Sequence, residues 1–185
     1  MHKDQLELCI DTMRKTGLPI VLFPGSAHQI SSSADGILLL SLLSGRNPEF
    51  LIGQHVLAAR SLKRSGLSIW PTAYLLIDGG KPTTASYVSN TQPLPADKPL
   101  LASATALAGE LLGMSLVYLD AGSGAALPVS MDTIASVRRE VSVPIIVGGG
   151  IRTQQEVEQA WSAGANWVVL GNVIEQDPLF FSTWI

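Results

Sequence analysis

The run Tyr118-Leu-Asp-Ala-Gly-Ser-Gly124 is followed by Val147-Gly-Gly-Gly150 and then by Leu170-Gly-Asn172, three short apolar stretches that each end in glycine or small polar residues. A buried parallel strand reads as a near-continuous apolar run. Glycine at its carboxyl end lets backbone N–H groups come within hydrogen-bonding distance of an anion, because the residue lacks a Cβ and adopts positive φ. A helix that begins just beyond the turn adds free N–H groups and the positive end of its dipole. Thr153, with Glu156 three residues on, marks such a start after Gly148, Gly149 and Gly150, ahead of a helical stretch over 154–161. The chemistry implied is capture of the phosphate of a small substrate. A lone glycine triplet is equally a tight strand-to-helix turn, whereas three strand ends in order outline one anion pocket.

Three strand ends can converge only if a parallel sheet carries them. Leu6, Cys9, Ile10 and Met13 recur at helical spacing and Gly17 stops that helix, which is expected over 4–16. A strand over 18–23 ends at Pro24-Gly25-Ser26, and a second spans 36–43. Asn47 as N-cap with Pro48 as first helical residue opens a helix that runs to 65. A third strand over 68–77 ends at Asp78-Gly-Gly80. Residues 81–99 hold four prolines and many small polar residues, too long for a plain connection and expected to cover something. A helix over 100–112, a strand over 115–119, a helix over 129–140, a strand over 144–147, a helix over 154–163 and a strand over 167–170 complete the chain. Strict alternation implies a parallel sheet with right-handed crossovers.

Six strands fall short of the eight that close a (β/α)8 TIM barrel, and the 185 residues fall short of its usual minimum of about 200. The expected architecture is therefore a single barrel domain over residues 1–185, truncated at the N-terminus by one and a half to two βα units. An open doubly wound sheet would place Gly-x-Gly-x-x-Gly after its first strand, and Phe23-Pro-Gly-Ser26 does not match. Phosphate glycines after the last two strands favour the barrel.

A hydrophobic content of 46% suits one sizeable core, and 15% charged residues with a net charge of −3 give no basic face for nucleic acid. The longest apolar run, 36–43, is far short of the roughly 20 residues that span a bilayer. The first five residues lack the apolar segment of a secretory signal, so a cytoplasmic location is expected. Cys9 is the only cysteine, which excludes an internal disulfide, and its place on an apolar stripe implies packing. His2, His28 and His55 show no metal-ligand spacing and read as solvated or core histidines.

Together these residues resemble the geranylgeranylglyceryl phosphate synthase family and its bacterial heptaprenylglyceryl phosphate synthase relatives. The likeness extends over residues 18–175. It is carried by Phe23-Pro-Gly-Ser26, Ala34-Asp35, Ser41-Leu-Leu-Ser44, Arg46-Asn-Pro48, Gly53, Tyr74-Leu-Leu-Ile77, the run 118–125, Val147-Gly-Gly-Gly-Ile-Arg152 and Gly171-Asn172. The run 118–125 is the most specific of them.

The resemblance implies a prenyl transfer in which the 3-hydroxyl of sn-glycerol 1-phosphate attacks the allylic carbon of a polyprenyl diphosphate of geranylgeranyl type. It implies a glycerol phosphate site made of Tyr118, Leu119, Asp120, Ala121, Gly122, Ser123, Gly124, Gly148, Gly149, Gly150, Gly171 and Asn172. Asp120 stands where the family most often has glutamate, and is the candidate that orients or deprotonates the attacking hydroxyl; it also reads as a loop cap. Tyr118 is either a hydrogen-bonding phenol or part of the packing at the barrel mouth. For the prenyl diphosphate the resemblance points to Phe23, Gly25, Gly53, Tyr74 and Arg46, although core packing explains the first four and a solvated surface charge explains Arg46.

The resemblance also implies Mg²⁺ to neutralise the departing diphosphate. The family's Asp-bearing first strand and Gly-Gly-Ser loop have no counterpart here, so no residue is assigned as a metal ligand. Asp35 and Asp78 are available carboxylates, yet Asp78-Gly-Gly80 reads first as a turn. Other copies of the chain are the expected partners, because an incomplete barrel exposes a strand edge and core surface. Two alternatives remain open at this point: a non-catalytic phosphate-binding remnant, and another phosphate-handling barrel enzyme.

Overall fold

Alternating apolar residues along each strand divide the sheet into two faces, and the helices cover one of them. The computed structural model describes residues 3–177 and 179–184. Helix α1 (Lys3–Arg14) precedes strand β1 (Val21–Leu22) and strand β2 (Gly36–Leu42). A π-helical turn (Glu49–Gly53) leads into α2 (Gln54–Ser65), followed by β3 (Ser68–Leu76), α3 (Thr84–Ser89) and α4 (Pro99–Leu111). Then come β4 (Leu116–Asp120), α5 (Met131–Glu140), β5 (Ile145–Gly148), α6 (Gln154–Ser162), β6 (Trp167–Val169), α7 (Asn172–Gln176) and a 3₁₀ turn (Phe180–Thr183).

All six strands are parallel and lie in sequence order, β1 to β6. The register sets Tyr74 beside Tyr118, Leu76 beside Asp120, Asp120 beside Gly148 and Gly148 beside Val169. Consecutive carboxyl ends are thereby level with one another. The sheet is curled: Trp70 on β3 stacks on Trp167 on β6, across the two intervening strands, with ring centroids 6.4 Å apart. This is a TIM-barrel-like sheet, and among the described residues β1 and β6 do not pair to close it.

On the convex side Ala73, Leu75, Val117, Leu119, Ile145 and Val147 pack in one buried cluster with side chains of α4, α5 and α6. Each fully buried valine, leucine or isoleucine contributes roughly 1.5–3 kcal/mol. On the concave side Leu38, Leu42, Tyr74, Leu76, Tyr118 and Ile146 form a second cluster. A third joins Ile10 of α1 and Leu22 of β1 to Ala58 and Leu62 of α2.

The structure differs from expectation at particular places. Strand β1 is only two residues long, because the Ile20 N–H is taken by the Asp35 carboxylate at 2.7 Å and Pro24 has no N–H to offer a ladder. Cys9 is exposed; of its stripe only Ile10 is buried, since α1 meets the sheet along one edge. Asn47 accepts from the Glu49 N–H at 3.1 Å, as a cap should, but the first turn it opens is π-wound. Within 81–99 lies α3, opened by a capping box in which Ser86 fills the place usual for glutamate or glutamine, and closed by Asn90 at φ +50°. Helix α7 is a further element that periodicity does not reveal. The Thr153–Glu156 capping box is formed as read. His55 is half-buried at the wall of a cavity, with its Nε2 2.7 Å from the Leu40 carbonyl oxygen, and His28 is exposed. His2 lies outside the described residues. Among the described residues no helix is long and apolar enough to cross a membrane.

Candidate functional site

Asp120 is the last residue of β4, and its carboxylate is held in place by two donors. The Tyr74 hydroxyl donates to Oδ2 at 2.5 Å, and the Gly122 N–H donates to Oδ1 at 2.7 Å. Burial, to 8% exposure, pushes the carboxyl pKa up, and the two hydrogen bonds pull against that rise. The phenols of Tyr74 and Tyr118 are pushed far above the usual tyrosine range, first by burial and then by the nearby Asp120 charge. Both phenols therefore remain protonated donors, while Asp120 is the one buried group here that can take up a proton.

Aromatic edges enclose this carboxylate. Phe23, from the loop after β1, meets Tyr74 at 5.9 Å and Tyr118 at 5.3 Å between centroids, and the two tyrosines meet at 5.5 Å. Tyr118 passes over Gly148, where any Cβ would strike its hydroxyl. Leu119 and Ala121 alternate with this face and send their side chains into the convex core, leaving only backbone toward the site.

The glycine turns pack backbone on backbone. Gly149 sits at φ +80°, and a Cβ there would fall 2.5 Å from the Gly122 nitrogen and 2.7 Å from Asp120 Oδ1. A Cβ on Gly150, at φ +74°, would lie 2.6 Å from the Leu127 carbonyl oxygen. Ser123 Oγ donates to Asn172 Oδ1 at 3.1 Å, which ties the β4 turn to the residues after β6 beside Gly171. The N–H groups of Ser123, Gly124, Gly149 and Gly150 donate to no group among the described residues. Three strand ends thus converge with donors to spare, which is the arrangement an oxyanion occupies.

Two supporting residues carry no role that spacing reveals. Arg152 donates to the carbonyls of Ala125, Ala126 and Gly150 at 2.5, 3.1 and 3.1 Å, bolting the β5 turn to the β4 turn. Thr83, the α3 cap, lies so close to Gly122 that a Cβ there would come 2.5 Å from its methyl group. An arginine two residues past a glycine triplet is the only sequence signal for the first; nothing in the sequence signals the second.

On the other side of Tyr74 an apolar cavity of about 220 Å³ opens between β2, α2 and α3. Phe23, Gly25, Leu38, Leu42, Ala58 and Tyr74 are among its lining residues. The stretch 81–99 does cover something: Ala85, Val88 and Ser89 of α3 wall this cavity. Gly53 is absent from the lining and sits against Glu49 in the π-turn. Arg46 is exposed, folds back to donate to the Leu43 and Gly45 carbonyls, and does not line the cavity.

No three of His, Cys, Asp or Glu come together among the described residues. Asp35 is engaged by Arg14 and the Ile20 N–H, Asp78 closes its own turn on the Gly80 N–H, and Asp120 is enclosed by Tyr74 and Gly122.

A curled parallel β/α sheet with glycine turns at its last three carboxyl ends is the design of the phosphate-binding (β/α) barrels. Within that class the chain belongs to the PcrB family, whose sequence model matches residues 1–183. The geranylgeranylglyceryl phosphate synthase of Spirosoma linguale is 58% identical over 172 residues, 93% of this chain and 69% of the relative. That of Chitinophaga pinensis is 52% identical over 175 residues, 94% and 69% of the two chains. The crystal structure of (S)-3-O-geranylgeranylglyceryl phosphate synthase from Thermoplasma acidophilum, in complex with its substrate sn-glycerol-1-phosphate, matches with a TM-score of 0.92 at 34% identity, covering 98% of this chain and 73% of that one.

Proposed function

We propose that this chain is a prenyltransferase that joins the 3-hydroxyl of sn-glycerol 1-phosphate to a polyprenyl diphosphate of geranylgeranyl type, forming an ether and releasing diphosphate. The observation that carries the reading is the position of Asp120, a buried carboxylate with an unpaired set of turn N–H groups on one side and, past Tyr74, an apolar cavity on the other. Support also comes from relatives of that name at 58% and 52% identity, and from the glycerol phosphate bound to the structural relative.

In this reading the N–H groups of Ser123, Gly124, Gly149 and Gly150, with the side chains of Ser123 and Asn172, hold the phosphate and the glycerol hydroxyls. Fixing that anion sets the 3-hydroxyl at Asp120, which converts an encounter between two molecules into a positioned reaction. The glycerol oxygen bonds to the allylic carbon while the bond from that carbon to the diphosphate oxygen breaks, and its electron pair leaves with diphosphate. The hydroxyl proton passes to Asp120, whose raised pKa suits it to accept. Tyr74 keeps the carboxylate turned toward the substrate and remains protonated itself. The prenyl tail lies in the apolar cavity, where Phe23 and the α3 wall shield the allylic centre from water.

Incubation of the protein with labelled sn-glycerol 1-phosphate, a divalent cation and a series of polyprenyl diphosphates tests the reading. Ether product with the wild-type chain, and none with Asp120→Asn, is expected. Tight binding of glycerol phosphate by calorimetry without product at any chain length would overturn the transferase reading and leave a phosphate-binding protein.

A further inference from the structure

Helix α2 separates the apolar cavity from solvent. Its inner side sends Gln54, His55, Ala58 and Leu62 to the cavity wall. Its outer side, with the π-turn before it, leaves Ile52, Val56 and Leu57 exposed by 58%, 68% and 66%. On another wall of the same cavity α3 leaves Tyr87 and Val88 exposed by 86% and 62%. Val88 also lines the cavity, so the cavity reaches the surface there. The Asn47 amide donates to the Ser89 carbonyl at 2.7 Å, which ties the approach to the π-turn to the last turn of α3. Exposed apolar side chains thus gather around one opening, and a cluster of that kind marks a contact.

Charge on the same helix identifies the occupant. The whole chain carries a net charge of −3, yet no aspartate or glutamate occurs between Phe50 and Ile77, and Arg60, Lys63 and Arg64 all fall there. The three are exposed, and among the described residues none pairs with a carboxylate, those of the neighbouring α1 included. Glu49, at the head of the π-turn, is held by the Gln54 amide at 2.5 Å. Arg60 follows Val56 by one turn and Arg64 follows by another, so an apolar end and a basic end share one outward ridge. A surface of anionic lipid takes up this pairing: apolar groups enter the acyl boundary, long cationic side chains reach the headgroups, and tyrosine lies between. A nucleic acid would engage the cations and leave Ile52, Val56 and Leu57 in water. A folded protein partner would gain nothing from the adjoining cavity, whereas a bilayer is the phase in which a long prenyl chain dissolves.

We propose that the outer face of the π-turn and α2, with the exposed side of α3, docks on an anionic membrane surface and passes a prenyl diphosphate from the bilayer into the cavity. The identity of the passenger rests on the prenyltransferase reading; the docking does not.

Co-sedimentation of the full chain with vesicles free of prenyl diphosphate measures docking apart from catalysis. Vesicles of phosphatidylcholine mixed with phosphatidylglycerol should bind roughly tenfold or more tightly than phosphatidylcholine alone, and added salt should weaken the difference. Each basic residue near such a surface is worth about fivefold, so Arg60→Gln, Lys63→Gln and Arg64→Gln together should lower binding by roughly 100-fold with an unchanged circular dichroism spectrum. Val56→Ser with Leu57→Ser should also release the protein, whereas Leu111→Ser with Leu112→Ser, equally exposed on α4, should bind as wild type does. With a long prenyl diphosphate carried in the mixed vesicles, the triple variant should show its KM raised by about tenfold or more, while kcat/KM for geranyl diphosphate, short enough to stay dissolved, holds at the wild-type value. A wild type that sediments with no vesicle, binding indifferent to phosphatidylglycerol, or an equal loss in the α4 variant would each overturn the docking. Ether product from dissolved geranyl diphosphate without any vesicle binding would overturn the docking and leave the transferase reading standing. Vesicle binding without ether product from any donor would support the docking and overturn the transferase reading.

Discussion

The Tyr74 hydroxyl donates to Asp120 Oδ2 at 2.5 Å, although the two residues stand on different strands and 46 positions apart. The β3–β4 register produces the meeting: Tyr74 is level with Tyr118, so its long ring reaches diagonally to the next concave-facing residue of β4. A single buried acceptor is thereby aimed by a phenol that does not itself ionise.

Asp120→Asn tests the acceptor. The amide fits the same space, taking the Gly122 N–H on its oxygen and giving an N–H to Tyr74, so the fold should persist. The turnover number should fall by about 10²–10⁴, the usual contribution of a positioned general base. Stability responds with a definite sign. Burial raises the Asp120 pKa in the folded state, so the contribution of this group is fully present below the ordinary carboxylate pKa of about 3.9 and is lost as pH rises through the raised folded value. Thermal melts should therefore show Asp120→Asn more stable than wild type at pH 7, with the difference closing in acid. A variant less stable at neutral pH would show that the charge is better solvated than the burial implies.

Tyr74→Phe separates orientation from basicity. Its hydroxyl lowers the Asp120 pKa, so its removal should move the acid limb of the kcat/KM profile upward in pH, from a starting point already above the ordinary aspartate range. Loss of a hydrogen bond to a charged group is worth about 1.5–3 kcal/mol, so kcat should fall by roughly 10- to 100-fold. Unchanged pH dependence in the variant would argue that Tyr74 serves the cavity wall alone.

The part of this site that can be read from the sequence is the part made of backbone. Gly122, Gly124, Gly149 and Gly150 announce turns that need positive φ, and each has it, between +72° and +90°. The capping pair Thr153 and Glu156 is local and equally legible. What cannot be read depends on register or on a segment without periodicity. Tyr74 and Asp120 meet only because β3 and β4 pair as they do, and α3 hides behind an unusual serine in its capping box. Cys9 misleads for the opposite reason: its helical spacing is real, but α1 rests on the sheet along one edge, so only Ile10 on that stripe is buried.

Gly149→Ala and Gly124→Ala distinguish conformational strain from collision. Both residues hold positive φ, which costs a non-glycine residue about 1–2 kcal/mol. A Cβ at Gly124 meets nothing within 4 Å, so Gly124→Ala should lose only that amount in denaturant unfolding. At Gly149 the added carbon also presses on the Gly122 nitrogen and Asp120 Oδ1, so Gly149→Ala should lose more and should raise the KM for glycerol phosphate as the two turns part. Equal losses in the two variants would mean that the turns are free to shift.

Arg152 offers the sharpest division between the two substrates. Its guanidinium holds the Ala125, Ala126 and Gly150 carbonyls and lies among the glycine turns proposed to hold the phosphate, remote in sequence and contacts from the cavity walls at β2, α2 and α3. Arg152→Met keeps most of the aliphatic bulk but removes all of these donors, leaving the β4 and β5 turns to settle independently. A misplacement of about 1 Å in a positioned reaction costs on the order of 10²-fold. Steady-state kinetics should then show the KM for sn-glycerol 1-phosphate rising by at least 10-fold, kcat falling, and the KM for the prenyl diphosphate unchanged. A parallel rise in both KM values would mean that the arginine supports the whole mouth of the sheet, and would count against two separately built halves that meet at Asp120.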